Sequence, residues 1–128
     1  MLIARAPLAV LAGALLLAGC SSAPEPADFA AGICREAAPD VLELTDLVSD
    51  LGEGPEVASE AKTALREAQT RLLKTVGIFS GPERADLDGF VQAVGLLRLR
   101  ADGNTYKSVL GEDVHAASDK VVARCTGG

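Results

Sequence analysis

The chain has 128 residues, a formal net charge of −6 and 48% hydrophobic residues, which is enough for one domain of ordinary size. The acidic balance disfavours docking on nucleic acid or on an anionic lipid surface, because both reward clustered lysine and arginine. With three phenylalanines, one tyrosine and no tryptophan, the chain offers few aromatic faces on which bases or sugars could stack.

Residues 1–19 have the three parts of an export signal: a short start whose only charge is Arg5, an apolar run over residues 6–16, and small residues before Cys20. The apolar run is too short to span a bilayer, since a transmembrane helix needs about 20 apolar residues. We therefore expect residues 1–19 to be a cleaved signal peptide.

Cys20 directly follows Leu17, Ala18 and Gly19, and this segment resembles the lipobox of bacterial lipoproteins. The resemblance implies that the Cys20 thiol receives a diacylglyceryl group and that a signal peptidase cuts between Gly19 and Cys20. Acyl chains such as palmitate would then hold the protein on the outer face of a cell membrane, at about 0.8 kcal/mol per buried methylene. The alternative is an ordinary signal peptide followed by an unrelated cysteine.

Residues 20–27 predict a flexible tether, because Pro24 and Pro26 favour an extended chain. The helical domain is then expected to cover residues 28–128. Cleavage after residue 19 removes only one charged residue, Arg5, and so changes the net charge from −6 to −7.

Helical periodicity predicts a first helix from about Phe29 to Leu51, with a kink or short break at Pro39 because proline removes an internal hydrogen bond. A second helix is expected to begin with Pro55 at its first position, where proline is favoured, and to end at Ser80.

A third helix is predicted over about residues 83–101 and a fourth over about residues 105–125, separated by the turn signal Asp102-Gly103-Asn104. Each of the four helices has one apolar stripe. The positions predicted to face the core include Val41, Leu44, Leu65, Leu72, Leu87, Phe90, Val94, Leu97, Val114 and Val121.

Cys34 and Cys125 remain as an even pair once Cys20 is set aside, and a disulfide is expected between them in an exported protein. Two buried free thiols, or a redox pair, are the alternatives, although a redox pair usually has a Cys-x-x-Cys motif. A disulfide requires Cα atoms about 4.4–6.8 Å apart. Three antiparallel helices would place the two cysteines at opposite ends, about 30 Å apart, whereas four place them at the same end. The sequence therefore predicts an all-α, antiparallel up-and-down four-helix bundle closed by one disulfide.

No catalytic motif follows the signal, and we expect neither an enzyme nor a cofactor or metal site. The one histidine, His115, is predicted to lie on the solvated surface, without a second histidine or free thiol to complete a metal set.

Acidic residues along the first helix predict a solvated flank that pairs in part with the second helix. The alternatives for this flank are a docking surface for a basic partner or a weak calcium site. The acidic residues of this flank are Glu36, Asp40, Glu43, Asp46 and Asp50.

Leu96 and Leu99 project from the side of the third helix opposite its apolar stripe, next to Gly89 and Gln92. Either the fourth helix or its connection covers this apolar patch as part of the core, or the patch is a binding surface for another envelope protein or an apolar ligand.

These patterns favour a membrane-anchored, non-enzymatic accessory or interaction module of the cell envelope. Its expected partners are the membrane, through the N-terminal lipid, and an envelope protein that the sequence does not identify; nucleic acid is not expected. The alternative function is a carrier that holds a small apolar molecule between its helices. A continuous cavity lined by Leu87, Val94, Leu97 and Val114 would indicate the carrier.

Overall fold

The computed structural model describes residues 23–127, which form α1 (Ile33–Ser49), α2 (Ser59–Gly77), α3 (Pro82–Asp102) and α4 (Ser108–Cys125). A 3-10 turn, Pro26–Asp28, precedes α1, so part of the predicted tether forms a turn. The described residues contain no strand. None of the described helices is long and apolar enough to cross a membrane. The predicted lipid attachment and cleavage sites, Cys20 and Gly19, lie outside the described residues.

The four helices form an antiparallel up-and-down bundle in which each packs against the next in the chain, and α4 packs against α1. One apolar stripe from each helix meets in a single core, which confirms the predicted fold class. The core side chains with no exposed surface include Val41, Leu44, Leu65, Leu72, Leu87, Phe90, Val94, Leu97 and Val114.

A disulfide joins Cys34 to Cys125, whose Cα atoms are 5.5 Å apart, and both residues are buried. It links the start of α1 to the end of α4, as an even number of helices requires. We call this the tether end of the bundle, and it also contains the α2–α3 loop, residues 78–81. The far end contains the α1–α2 connection, residues 50–58, and the α3–α4 connection, residues 103–107.

The first helix begins at Ile33, so the predicted start at Phe29 is wrong. Gly32 has a φ of 95°, in the left-handed region that favours glycine, and a right-handed helix cannot continue backwards through it. Phe29 is nevertheless buried, because the chain before α1 folds onto the tether end. There the Ala30 N–H donates to the Cys125 carbonyl at 2.7 Å.

Pro39 lies inside α1, but the predicted break is absent and the helix is continuous. Pro39 cannot donate to the carbonyl of Arg35, its would-be partner one turn earlier. Both residues are exposed, so water can hydrogen-bond to that carbonyl.

The second helix begins at Ser59, and the predicted start at Pro55 is also wrong. The Pro55 carbonyl instead accepts a hydrogen bond from the Tyr106 N–H at 3.2 Å, which ties together the two connections of the far end. The same bond holds Tyr106 outside α4, which begins at Ser108 and not near Thr105.

Gly111 lies where α4 approaches α1 closely, and an added Cβ would be 2.7 Å from Tyr106 Oη and 3.3 Å from Val48 Cγ1. Because both neighbours are buried, we expect Gly111→Ala to lower the free energy of unfolding by about 1–3 kcal/mol, measured by urea denaturation. Gly89 is the matched control, since a Cβ there meets nothing within 4 Å. Gly89→Ala is expected to raise stability by about 0.5–1 kcal/mol.

The variant Tyr106→Phe provides a second check, because it removes the hydroxyl that the new methyl group would meet. Gly111→Ala should cost less in that background than in the native chain. Equal stabilisation by Gly111→Ala and Gly89→Ala would show that α4 and α1 are not in close contact at Gly111.

Candidate interaction surface

Gly89, Gln92, Leu96 and Leu99 are all exposed in the structure and follow one line along α3, which we call the α3 ridge. Leu96 is 48% exposed and Leu99 is 68% exposed. The opposite side of α3 is completely buried in the bundle. The fourth helix therefore does not cover the α3 ridge, and its two leucines contact solvent.

Two grooves border parts of the α3 ridge. A groove of about 360 Å³ runs between α3 and α4, where Gly89 and Ala93 face Ala117. A second groove, of about 300 Å³, lies between α2 and α3, and Leu99 and Gly95 contribute to its lining. Leu99 thus borders one of the two grooves, and Leu96 and Leu99 form an exposed apolar pair on the outer side of α3.

A polar contact between α2 and α3 lies beside Leu99. Arg98 Nη1 donates to Gln69 Oε1 at 2.6 Å, and Arg98 Nη2 lies 3.6 Å from Asp102 Oδ2. Gly95 makes room for the Gln69 amide, since a Cβ at position 95 would be 3.3 Å from Gln69 Nε2. The sequence places Arg98 within the apolar stripe, but it does not show that buried Gln69 is the partner, because the two residues are 29 apart.

The acidic flank of α1 pairs in part with α2, as predicted. Arg71 Nε contacts Asp40 Oδ1 at 3.0 Å, and Arg71 Nη2 contacts Glu43 Oε1 at 2.9 Å. The hydrogen bond to Asp40 is the main cause that raises the pKa of Arg71. Within residues 23–127, no group of three or more histidine, cysteine, aspartate or glutamate side chains is placed to hold a metal ion.

His115 is half-buried rather than fully solvated, and its Nε2 lies 3.1 Å from Ser49 Oγ on α1. The Ser49 hydroxyl also lies 3.0 Å from the Thr45 carbonyl, one turn earlier on α1, which can accept its proton. The contact between Ser49 and His115 therefore joins α1 to α4.

A second polar contact joins the same two helices one turn away, where the hydroxyls of Thr45 and Ser118 lie 3.1 Å apart. The predicted stripes of α1 and α4 do not include these residues. The sequence provides no signal for either contact, because each joins residues more than 60 positions apart.

Tyr106 is buried at the far end, and burial raises its pKa, with a further contribution from the charge of Glu112. A raised pKa means that folding favours the neutral phenol, so the resulting stabilisation is present below about pH 10 and is lost as pH rises through the folded pKa. Tyr106 is the only tyrosine and the chain has no tryptophan, so tyrosinate absorbance reports this group alone. We expect the tyrosinate titration of the folded chain to have its midpoint at a higher pH than that of the urea-unfolded chain. Glu112→Gln should reduce the difference between the two midpoints. Identical midpoints in the folded and unfolded chains would contradict the burial of the phenol.

The interior offers no room for a ligand at the position where a carrier would need it. A cavity able to hold even one water molecule would leave part of its lining accessible. Leu87, Val94, Leu97 and Val114 have no accessible surface, so they pack directly against their neighbours.

No protein-family model, curated protein or solved structure matches the chain. The structure itself defines the class of domain: an antiparallel four-helix bundle, closed by a disulfide next to the point where the N-terminal segment enters. The α3 ridge places two exposed leucines, Leu96 and Leu99, one turn apart on the same helix, and this pair suggests what such a domain can bind.

Proposed function

We propose that this protein is a lipid-anchored domain on the outer side of a bacterial cell membrane and that it binds another envelope protein through the α3 ridge. The exposure of Leu96 and Leu99, on a helix whose other face is fully buried, is the observation that carries the binding role. Exposed apolar side chains that cluster on one surface are typical of protein interaction sites.

The cysteines support the proposed location. Disulfides persist in oxidising compartments, and the pair Cys34 and Cys125 is suited to a domain that works outside the cytoplasm. The third cysteine, Cys20, follows the lipobox-like segment described above and has a role of its own in lipid attachment.

The shape of the ridge favours a protein partner over a small molecule. Small-molecule sites are concave and enclose most of their ligand, whereas Leu96 and Leu99 are exposed on the outer side of a helix. A convex row of side chains on a helix fits the groove between two elements of another protein. A carrier function is disfavoured because the candidate cavity lining is tightly packed.

Replacement of Cys20 by serine tests the anchor. The native chain should be found in the membrane fraction, with an intact mass equal to residues 20–128 plus the acyl groups. Cys20→Ser should lose this modification and leave the membrane fraction. An unmodified, uncleaved native chain would overturn the proposed anchor.

Native mass spectrometry of the gently extracted protein tests the partner. A bound protein should be present with the native chain and absent with the double variant Leu96→Ser/Leu99→Ser. Val109→Ser is the matched control, because Val109 is an exposed apolar residue, 52% accessible, in the first turn of α4. Loss of the partner in both variants, or in neither, would contradict binding through the α3 ridge, and a discrete small-molecule adduct would favour the carrier.

A further inference from the structure

The N-terminal segment leaves the bundle at the tether end in a defined direction. Arg35 donates from Nη2 and Nε to the Phe29 carbonyl, at 2.8 and 3.0 Å, and the Ala30 N–H donates to the Cys125 carbonyl. Phe29 is 1% exposed, so this part of the chain is packed onto the bundle. An attachment at residue 20 would therefore hold the bundle by the end that contains the disulfide.

The distance between residue 20 and this end is limited by chain length. Residues 20–26 can span at most about 20 Å when fully extended. The 3-10 turn Pro26–Asp28 rises only about 2 Å per residue and adds little. The helix α3, with 21 residues, is about 31 Å long. A lipid on Cys20 would therefore keep the tether end close to the bilayer, while the far end can extend away from it.

The α2–α3 loop presents a large apolar side chain at the same end. Ile78 is 79% exposed, more than any other large hydrophobic residue among those described. Its neighbour Phe79 points inward against the core. Two hydrogen bonds fix the loop. Arg84 Nη1 donates to the Phe79 carbonyl at 2.8 Å, and the Phe79 N–H donates to the Val76 carbonyl at 3.2 Å. Ile78 is thus held at the tip of the bundle.

The charges of the two ends favour the same orientation. Residues 46–60 and 100–107, at the far end, together carry six acidic and two basic side chains, a net charge of −4, so an anionic membrane repels this end. Near Ile78, by contrast, residues 74–88 carry two basic side chains, Lys74 and Arg84, against three acidic ones, so the local charge is only −1. The Ile78 loop can approach lipid without a strong charge penalty, although it is not basic enough to bind by charge alone.

We propose that Ile78 inserts into the membrane interface as a second contact beside the lipid, so that the bundle stands end-on with its far end directed away from the bilayer. This inference rests on the proposed lipid anchor at Cys20. The contact is apolar, so it is insensitive to salt. It also explains how an acidic domain can touch the membrane, because only its less acidic end does so.

The end-on orientation leaves the α3 ridge available. Leu99 is 17 residues along α3 from Pro82, which places it about 25 Å from the tether end. A partner could therefore bind Leu96 and Leu99 without contacting lipid. The membrane contact and the proposed protein contact occupy different parts of the bundle.

Fluorescence quenching in vesicles tests the orientation. Ile78→Cys, Leu99→Cys and Val109→Cys, each in the full lipidated chain, receive the same thiol-reactive fluorophore and are reconstituted into phosphatidylcholine–phosphatidylglycerol vesicles that contain a shallow spin-labelled lipid quencher. The label at position 78 should lose about half of its emission or more, as expected for a group within the interface. Labels on the α3 ridge and in the first turn of α4 should not be quenched. The pattern should be the same in about 0.1 M and about 1 M salt.

Flotation of the same vesicles separates the two proposals. If the native chain floats and position 78 is not quenched, or if position 99 or 109 is quenched as strongly, the end-on orientation is wrong and the anchor stands. If the native chain does not float with the vesicles, the Cys20 anchor fails and the orientation fails with it. Because all three labels are identical, insertion driven by the fluorophore would appear at every position and would also overturn the inference.

Discussion

Replacing Cys34 and Cys125 together by alanine is expected to lower the free energy of unfolding by about 4–5 kcal/mol in the chain-entropy model. The disulfide closes a loop with a sequence separation of 91, so it strongly restricts the unfolded chain. Alanine is preferred to serine because both positions are buried, and a hydroxyl there would lack a partner. With a urea m-value of about 1–3 kcal/mol/M, the unfolding midpoint should fall by about 2 M.

The native chain unfolded in reductant provides the matched control, since it loses the same covalent bond without any substitution. Its midpoint should agree with that of the double variant. If both midpoints equal that of the oxidised native chain, the disulfide contributes no stability. A lower midpoint in the double variant alone would assign the loss to packing of the two side chains.

Leu97→Ala is expected to lower the free energy of unfolding by about 2–5 kcal/mol, because Leu97 has no exposed surface and its removal leaves a cavity. Leu99→Ala is the matched control, two residues along the same helix and 68% exposed. This second substitution should change stability by less than about 0.5 kcal/mol. Thermal or urea unfolding of the two variants measures the difference directly.

The comparison also checks the surface proposed for partner binding. If Leu99→Ala destabilised the protein as much as Leu97→Ala, Leu99 would be part of the core and could not be a binding residue. A stable Leu99→Ala variant would show that effects of ridge substitutions on binding are not due to unfolding.

The helix number and topology could be predicted from the sequence because they depend on two simple signals. Apolar residues recur at helical spacing, and each stripe must be buried against the others. The positions of Cys34 and Cys125 then select an even number of helices, since a disulfide cannot join opposite ends of a bundle.

The helix starts were less predictable, because contacts between distant residues determine them. Pro55 is a favourable first residue for a helix, yet its carbonyl bonds to Tyr106, which is about 50 residues away. Phe29 continues the apolar stripe of α1, but the left-handed backbone at Gly32 ends the helix before it. Neither effect is encoded in local periodicity.

The candidate surface, too, could be predicted from the sequence only in part. Helical phase predicted that Leu96 and Leu99 lie opposite the core, but only packing could show that α4 leaves them exposed. The contact between Ser49 and His115 depends on the register of α4 against α1, which neither helix specifies alone. The apolar tip at Ile78 was also missed, because a loop residue has no periodic pattern to reveal it.

The disulfide makes the chain from Cys34 to Cys125 a closed covalent ring, with the N-terminal segment attached at the bridge. A mechanical pull between that segment and a partner bound on α3 would be divided between two arms, one through α1 and α2 and the other through α4. Neither arm can be drawn out alone, because each is joined to the other at the bridge. Under the proposed anchor and partner, tension between them would be shared by both arms, and reduction of the disulfide would leave a linear chain that can be drawn out from one end.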